Sequence, residues 1–225
     1  MDALKRKAIE GLLQLALVLA LLLFLPAWTL DYWQAWVFLF LFLSASTLIS
    51  IYVWRKDPKL LARRLNAGPG AEAEPKQKLI QLLASATFIG SAILPAVDHR
   101  FGWSHVPVAL VLLGDVLIVL GFAIVFLVFK ANSFAAATIE IAPDQTAIST
   151  GPYAVVRHPM YSGALIMLFG MPLALGSWWG LSMFAGITLT IIWRLLDEEN
   201  FLVKNLKGYE DYRRKVRYRL VPLVW

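Results

Sequence analysis

The 225-residue chain contains no cysteine, which excludes disulfides, iron–sulfur clusters and thiolate nucleophiles. Histidine is scarce. His99, His105 and His158 are the whole supply, so a histidine-rich metal site is not expected, and no metal is assigned. Charge is scarce too. It makes up 16% of residues against 59% hydrophobic, where a soluble domain of this size is about 45–50% apolar. Internal repeats and low-complexity tracts are also lacking.

What is present is a series of long apolar runs. Gly11–Leu30, Trp33–Trp54 and Leu79–Val97 carry no charge, and Val106–Phe129 carries only Asp115. Pro159–Trp193 is 35 residues without a charge. An apolar run of about 18 or more residues reads as a membrane span. The mean hydropathy of +0.66 agrees, and the chain reads as an all-α integral membrane protein. The opening MDALKRK and the run behind it resemble a signal peptide. The run is too long for a typical signal core and a second span follows at once, so a retained first helix is expected.

The longest run sets the architecture. As one helix it would be roughly 52 Å long, against a hydrocarbon core of about 30 Å. It must break, and Gly176-Ser177-Trp178-Trp179-Gly180 offers glycines for a turn and tryptophans for an interface. The expected result is a hairpin of short helices near 159–175 and 181–199, giving about six transmembrane helices and a cytoplasmic C-terminal helical segment. With the N-terminus inside, the cytoplasmic segments 1–10, 54–78, 130–158 and 194–225 hold 20 of the 21 Lys and Arg residues. That bias favours both termini in the cytoplasm. It also explains the net charge of +6 without a nucleic-acid partner. The chain reads as one membrane domain, residues 1–130 a four-helix scaffold and residues 131–225 the half with unusual residues. Asn66 to Lys76, NAGPGAEAEPK, reads as a flexible cytoplasmic loop.

The hairpin brings Arg157-His158 to the same depth as Arg194 and Asp197-Glu198-Glu199. Arg194 and Glu198 are four apart and share a helix face. Pro159 suits the first helical position. The free N–H groups behind it make an anion site where a carboxylate or phosphate could sit. The acids would oppose the dipole of a helix ending there, so they imply a continuing helix or a cationic ligand. Plainer readings exist for each residue. Arg157 and His158 could be snorkelling anchors, and Tyr153 and Tyr161 aromatic-belt residues. The acids could be a solvated helix end, Asp115 a polar contact with a neighbouring helix, and the tail a basic amphipathic surface segment. Ser162, Gly163 and Gly170 could leave room for a lipid chain or serve close helix packing.

The combination resembles the isoprenylcysteine carboxyl methyltransferase family and its bacterial and archaeal relatives. The match covers roughly Asn132 to Trp225: GPYAVVRHPMYSG, an apolar hairpin, RLLDEENFLVKNLKGYEDYRRKV and a closing RYRLVPLVW. The resemblance implies an integral membrane enzyme, in a bacterial inner membrane for the bacterial relatives. Its cosubstrate would be S-adenosyl-L-methionine (AdoMet), in a cytoplasmic pocket capped by the C-terminal segment. Family AdoMet contacts fall on Tyr153, His158, Pro159, Met160, Tyr161 and Glu198, with Glu199 the alternative acid. The stretch Gln145 to Ile148 corresponds to a backbone-contacting loop. The family's arginine near the substrate carboxylate falls on Arg194, with Arg157 close by. Many relatives have serine at Met160, and the segment between the acids and Tyr209 is one residue shorter than in eukaryotic members.

The implied partner is a lipophilic or prenylated carboxylate arriving from membrane lipid. A carboxylate acceptor is already ionised at neutral pH and needs no general base. A phospholipid or other amine would need one, with His158 or a carboxylate as candidate. An NADPH-dependent sterol-type reductase is the rival enzyme, with Arg213-Arg214-Lys215 for the 2′-phosphate. The intact RHPMY and the acid pair favour methyl transfer. A transporter would place polar groups near mid-bilayer, and only Asp115 lies there. The acceptor's identity and the oligomeric state are not readable from the sequence.

Overall fold

In lipid every backbone N–H and C=O must be bonded within the protein, and uncharged runs meet that demand as helices. The computed structural model describes residues 3–143 and 145–225. Helices α1 (Ala3–Ala27), α2 (Trp33–Lys56), α4 (Pro75–Phe101), α5 (Val108–Ala131) and α7 (Gly180–Asn205) are each long and apolar enough to cross a membrane. α3 (Pro58–Leu65) and α8 (Tyr209–Lys215) are short and rich in charge. No strand occurs among the described residues.

The long run breaks at the expected turn. α6 covers Pro159–Ala174, α7 starts at Gly180, and Gly176 takes a left-handed backbone with φ of +72°, open to a residue without a Cβ. α6 is short for a span: its 16 residues cover about 24 Å. α7 runs on to Asn205, well beyond the expected end at 199. Glu198 and Glu199 therefore lie inside a helix, away from its unfavourable terminal dipole. Of the two explanations for the acids, the continuing helix is the one observed.

α6 packs most closely on α5. A Cβ on Gly121 would lie 2.6 Å from the Gly163 carbonyl oxygen, and one on Gly170 would lie 2.6 Å from that of Gly114. Small residues let two helices approach to backbone contact where lipid supplies no hydrophobic drive. Gly163 and Gly170 thus serve packing and leave no room for a lipid chain. Ser162 donates from its hydroxyl to the Leu220 carbonyl at 2.7 Å, which ties α6 to the tail.

The end of the bundle at the α6–α7 turn is filled. Leu19, Leu23, Phe38, Ala92, Ile118 and Met171 form one buried cluster across five helices. Beside it, Asp98 is 1% exposed and accepts from the Ser104 N–H at 2.8 Å, the Ser104 hydroxyl at 2.6 Å and the Ser177 hydroxyl. Tyr32 donates to the Leu175 carbonyl at 2.7 Å. These bonds fasten the turn to α2 and α4. Large side chains such as Leu13, Phe40, Leu48 and Leu189 point outward and are more than half exposed. Such an apolar exterior suits hydrocarbon.

Asp115 departs from expectation. It is buried, yet neither carboxylate oxygen has a hydrogen-bond partner among the described residues, so the anticipated contact with a neighbouring helix is not made. The expected flexible loop also proves ordered at its centre. Pro69–Ala71 forms a 3-10 turn, and Glu72 behind it is 4% exposed.

Candidate active site

At the opposite end the helices diverge around a cavity of about 970 Å³. Its upper wall comes from the loop after α5, the start of α6 and the C-terminal α7 and α8, including Asn132, Gln145, Tyr153, His158, Glu198 and Tyr209. An apolar leg continues between the spans, lined by Leu12, Leu15, Phe88, Phe122, Val125 and Met167. One continuous space thus joins a polar end to the hydrophobic interior.

The α6 start is placed by the tail. The Arg157 and His158 N–H groups donate to the Tyr218 and Arg219 carbonyls at 2.9 and 3.0 Å. Pro159 then opens α6, as expected for a residue without an N–H. Tyr161 faces α7. Its hydroxyl donates to Glu198 Oε2 at 2.7 Å and accepts from Arg194 Nε at 3.1 Å. Arg194 and Glu198 do share a face, bridged by this phenol.

Arg194 is more occupied than its sequence position implies. It is 8% exposed and donates to Gln77 Oε1 at 2.9 Å, Glu72 Oε1 at 2.7 Å and the Ala137 carbonyl at 2.9 Å. Gln77 and Lys76 also bind Asp197, so that acid faces α4 and not a ligand. Glu72, Gln77 and Lys76 therefore brace the far side of α7.

The two neighbouring acids diverge. One step along a helix turns a side chain by about 100°. Glu198 lines the cavity, whereas Glu199 is 3% exposed and turned into a knot. Its Oε1 accepts from Arg157 Nε at 2.6 Å and lies 3.4 Å from His158 Nε2, and its Oε2 accepts from Arg219 Nε at 2.8 Å. Arg157 also donates to the Val216 and Arg217 carbonyls at 3.0 and 2.8 Å. Arg157 and Glu199 therefore clamp the C-terminal tail against the start of α6 and α7.

Gln145, Ile148, Tyr153, Arg157, His158, Pro159, Met160, Tyr161, Arg194 and Glu198 all reach the cavity wall. Glu199 does not. Asn132 Nδ2 donates to the Tyr153 hydroxyl at 2.9 Å, and Tyr212 donates to the Tyr153 carbonyl at 2.8 Å. Burial pushes the Tyr153 phenol up to about 12 and raises those of Tyr209 and Tyr212 further, so all three are neutral. The Tyr209 hydroxyl is buried on the cavity wall and has no partner among the described residues. A buried hydroxyl left unpaired in water-poor surroundings is destabilising by about 1–3 kcal/mol.

Sequence reasoning missed Glu72, Gln77, Arg64, Asn132 and Tyr209. The first three sit in segments whose charge had been assigned to topology. The only available signal was a pair of glutamates, Glu72 and Glu74, in a loop otherwise mostly of small residues and proline.

Residues 109–208 match the family described as phospholipid methyltransferase. This span, under half the chain, runs from α5 to the end of α7 and carries the wall residues from Gln145 to Glu198. No curated protein matches the chain. The long apolar helices and this likeness together describe an integral membrane protein whose second half is similar to membrane methyltransferases.

Proposed function

We propose that the protein is an AdoMet-dependent methyltransferase at the membrane–cytosol boundary, acting on a lipophilic acceptor. The observation that carries this reading is the single cavity with one polar and one apolar end. A polar methyl donor and an amphiphile need such a shared space, because one comes from water and the other from lipid.

The polar end suits AdoMet, which brings a sulfonium-bound methyl group, an ammonium and a carboxylate. Glu198 offers an acceptor to the ammonium or ribose hydroxyls. Tyr153 and Tyr161 offer ring faces to the adenine or the sulfonium. The α6 start offers N–H donors to the carboxylate. The unpartnered Tyr209 hydroxyl supplies one further polar contact. The Arg157–Glu199 clamp holds the tail in place and keeps water out.

The acceptor reading we put first is a carboxylate of isoprenylcysteine type. The carboxylate oxygen attacks the methyl carbon, the new O–CH3 bond replaces the S–CH3 bond, and the electron pair leaves on sulfur. No proton moves and no base is required. What the chain contributes is alignment, worth about 7–11 kcal/mol in favourable systems. The second reading, methylation of a phospholipid amine, is favoured by the phospholipid methyltransferase likeness. The amine must then shed one proton, and His158 or a carboxylate of the wall such as Glu198 is the candidate to take it. We further propose that both termini face the cytoplasm.

Incubation of the purified chain with methyl-labelled AdoMet and a lipid extract tests the proposal. A base-labile labelled ester indicates the carboxylate reading and a base-stable labelled amine the second. No labelled lipid in any extract contradicts methyl transfer.

A further inference from the structure

Four basic residues line the cavity: Arg64, Arg157, Arg194 and His158. Three of them have a carboxylate within reach. Arg157 and His158 share Glu199, and Arg194 has Glu72. Arg64 is the exception. One of its terminal nitrogens donates to the Ala136 carbonyl at 3.0 Å and lies 3.7 Å from the Met160 sulfur. Its guanidinium sits 5.2 Å from the centre of the Phe129 ring. A carbonyl, a thioether and a ring orient the charge without cancelling it. Among the described residues no carboxylate pairs with Arg64.

A second cation, Arg194, is close enough to act against its charge, and only the phenols of Tyr161 and Tyr153 act in its favour. Burial holds its guanidinium below the ordinary value. A cation in a recess of low polarity is costly until an anion arrives. The position is also fixed. Asp57 caps α3 by accepting from the Leu60 N–H at 3.0 Å, and Leu60 and Leu61 anchor the helix in a buried cluster. Arg63, next in sequence, turns away to the Ser133 carbonyl at 2.8 Å.

Arg64 lies where the two ends of the cavity meet, with Met160 and Tyr161 on one side and Phe129 on the other. We infer that Arg64 binds the anionic group, carboxylate or phosphate, of an amphiphile whose chain occupies the apolar leg. Calling that amphiphile the methyl acceptor rests on the methyltransferase reading. Arg194, saturated by Glu72, Gln77, Ala137 and Tyr161, is then a positioning residue that holds Tyr161 against Glu198. A guanidinium suits a carboxylate or phosphate through two parallel hydrogen bonds.

The test is equilibrium binding of radiolabelled dodecanoate, dodecyl phosphate and dodecanol to the full chain in nanodiscs of zwitterionic lipid, without AdoMet. The wild type is expected to bind at least one anionic probe about tenfold more tightly than dodecanol. Arg64→Gln should lose that preference, and Arg64→Lys should keep it within about threefold. Arg63→Gln should not change it. The anion preferred identifies a carboxylate or a phosphate as the group held. An unchanged preference in a folded Arg64→Gln protein, or the absence of any preference in the wild type, overturns the inference. AdoMet affinity, measured separately on the same samples, should stay within about twofold in Arg64→Gln. Failure of the wild type to bind AdoMet overturns the methyltransferase reading, while the anion arm still decides the role of Arg64.

Discussion

At the turn end of the bundle, Asp98 accepts from two serines, Tyr32 donates to a backbone carbonyl, and buried apolar side chains pack together beside them. At the other end, Arg194, Tyr161 and Glu198 form an equally connected chain of hydrogen bonds, but it borders a cavity of about 970 Å³. Beside that chain, among the described residues, no carboxylate pairs with Arg64 and the buried Tyr209 hydroxyl has no hydrogen-bond partner. Buried polarity alone therefore does not distinguish structure from function. The useful distinction is whether the polar groups satisfy one another or remain open towards a space.

Substitutions at the two ends should separate stability from binding. The largest effect is expected at Glu199→Ala, which leaves Arg157 buried without its partner. Breaking such a pair costs about 3–5 kcal/mol. Denaturant unfolding in mixed micelles should show that loss, and proteolysis should cut the freed tail. Next is Asp98→Ala, which strips hydrogen bonds from Ser104 and Ser177. It should lower stability by about 2–3 kcal/mol while AdoMet affinity holds within about twofold. Loss of AdoMet binding there would erase the contrast between the ends. Glu198→Ala should do the reverse, weakening AdoMet by more than about tenfold, or about 1.4 kcal/mol, with a smaller loss of stability than Asp98→Ala, because it removes one acceptor, that of the Tyr161 hydroxyl. Tyr209→Phe should be smallest, because it removes one hydroxyl with no protein partner. A modest fall in AdoMet affinity with equal or higher stability is expected, and a loss of stability would show that the hydroxyl is bonded within the fold.

Much of this arrangement was legible in the sequence. The break at Gly176, the helix start at Pro159 and the shared face of Arg194 and Glu198 follow from helix geometry and turn chemistry. Glu198 and Glu199 could not be told apart, because the choice depends on which face α7 turns to Arg157 and Arg219. Glu72 was hidden for a different reason. Its partner Arg194 is 122 positions away, and a stretch of alanine, glycine and proline reads as flexible whether or not one side chain reaches inward. Arg64 was masked by the positive-inside bias, in which every basic residue already had a reason to be present. Asp115 remains buried without a partner, and no contact in the fold accounts for it.

The most direct measurement is equilibrium titration of the purified wild-type chain in nanodiscs with AdoMet and, separately, with NADPH. The account predicts saturable AdoMet binding with one site per chain and little or none for NADPH. Preferential NADPH binding would contradict it and point to the reductase reading.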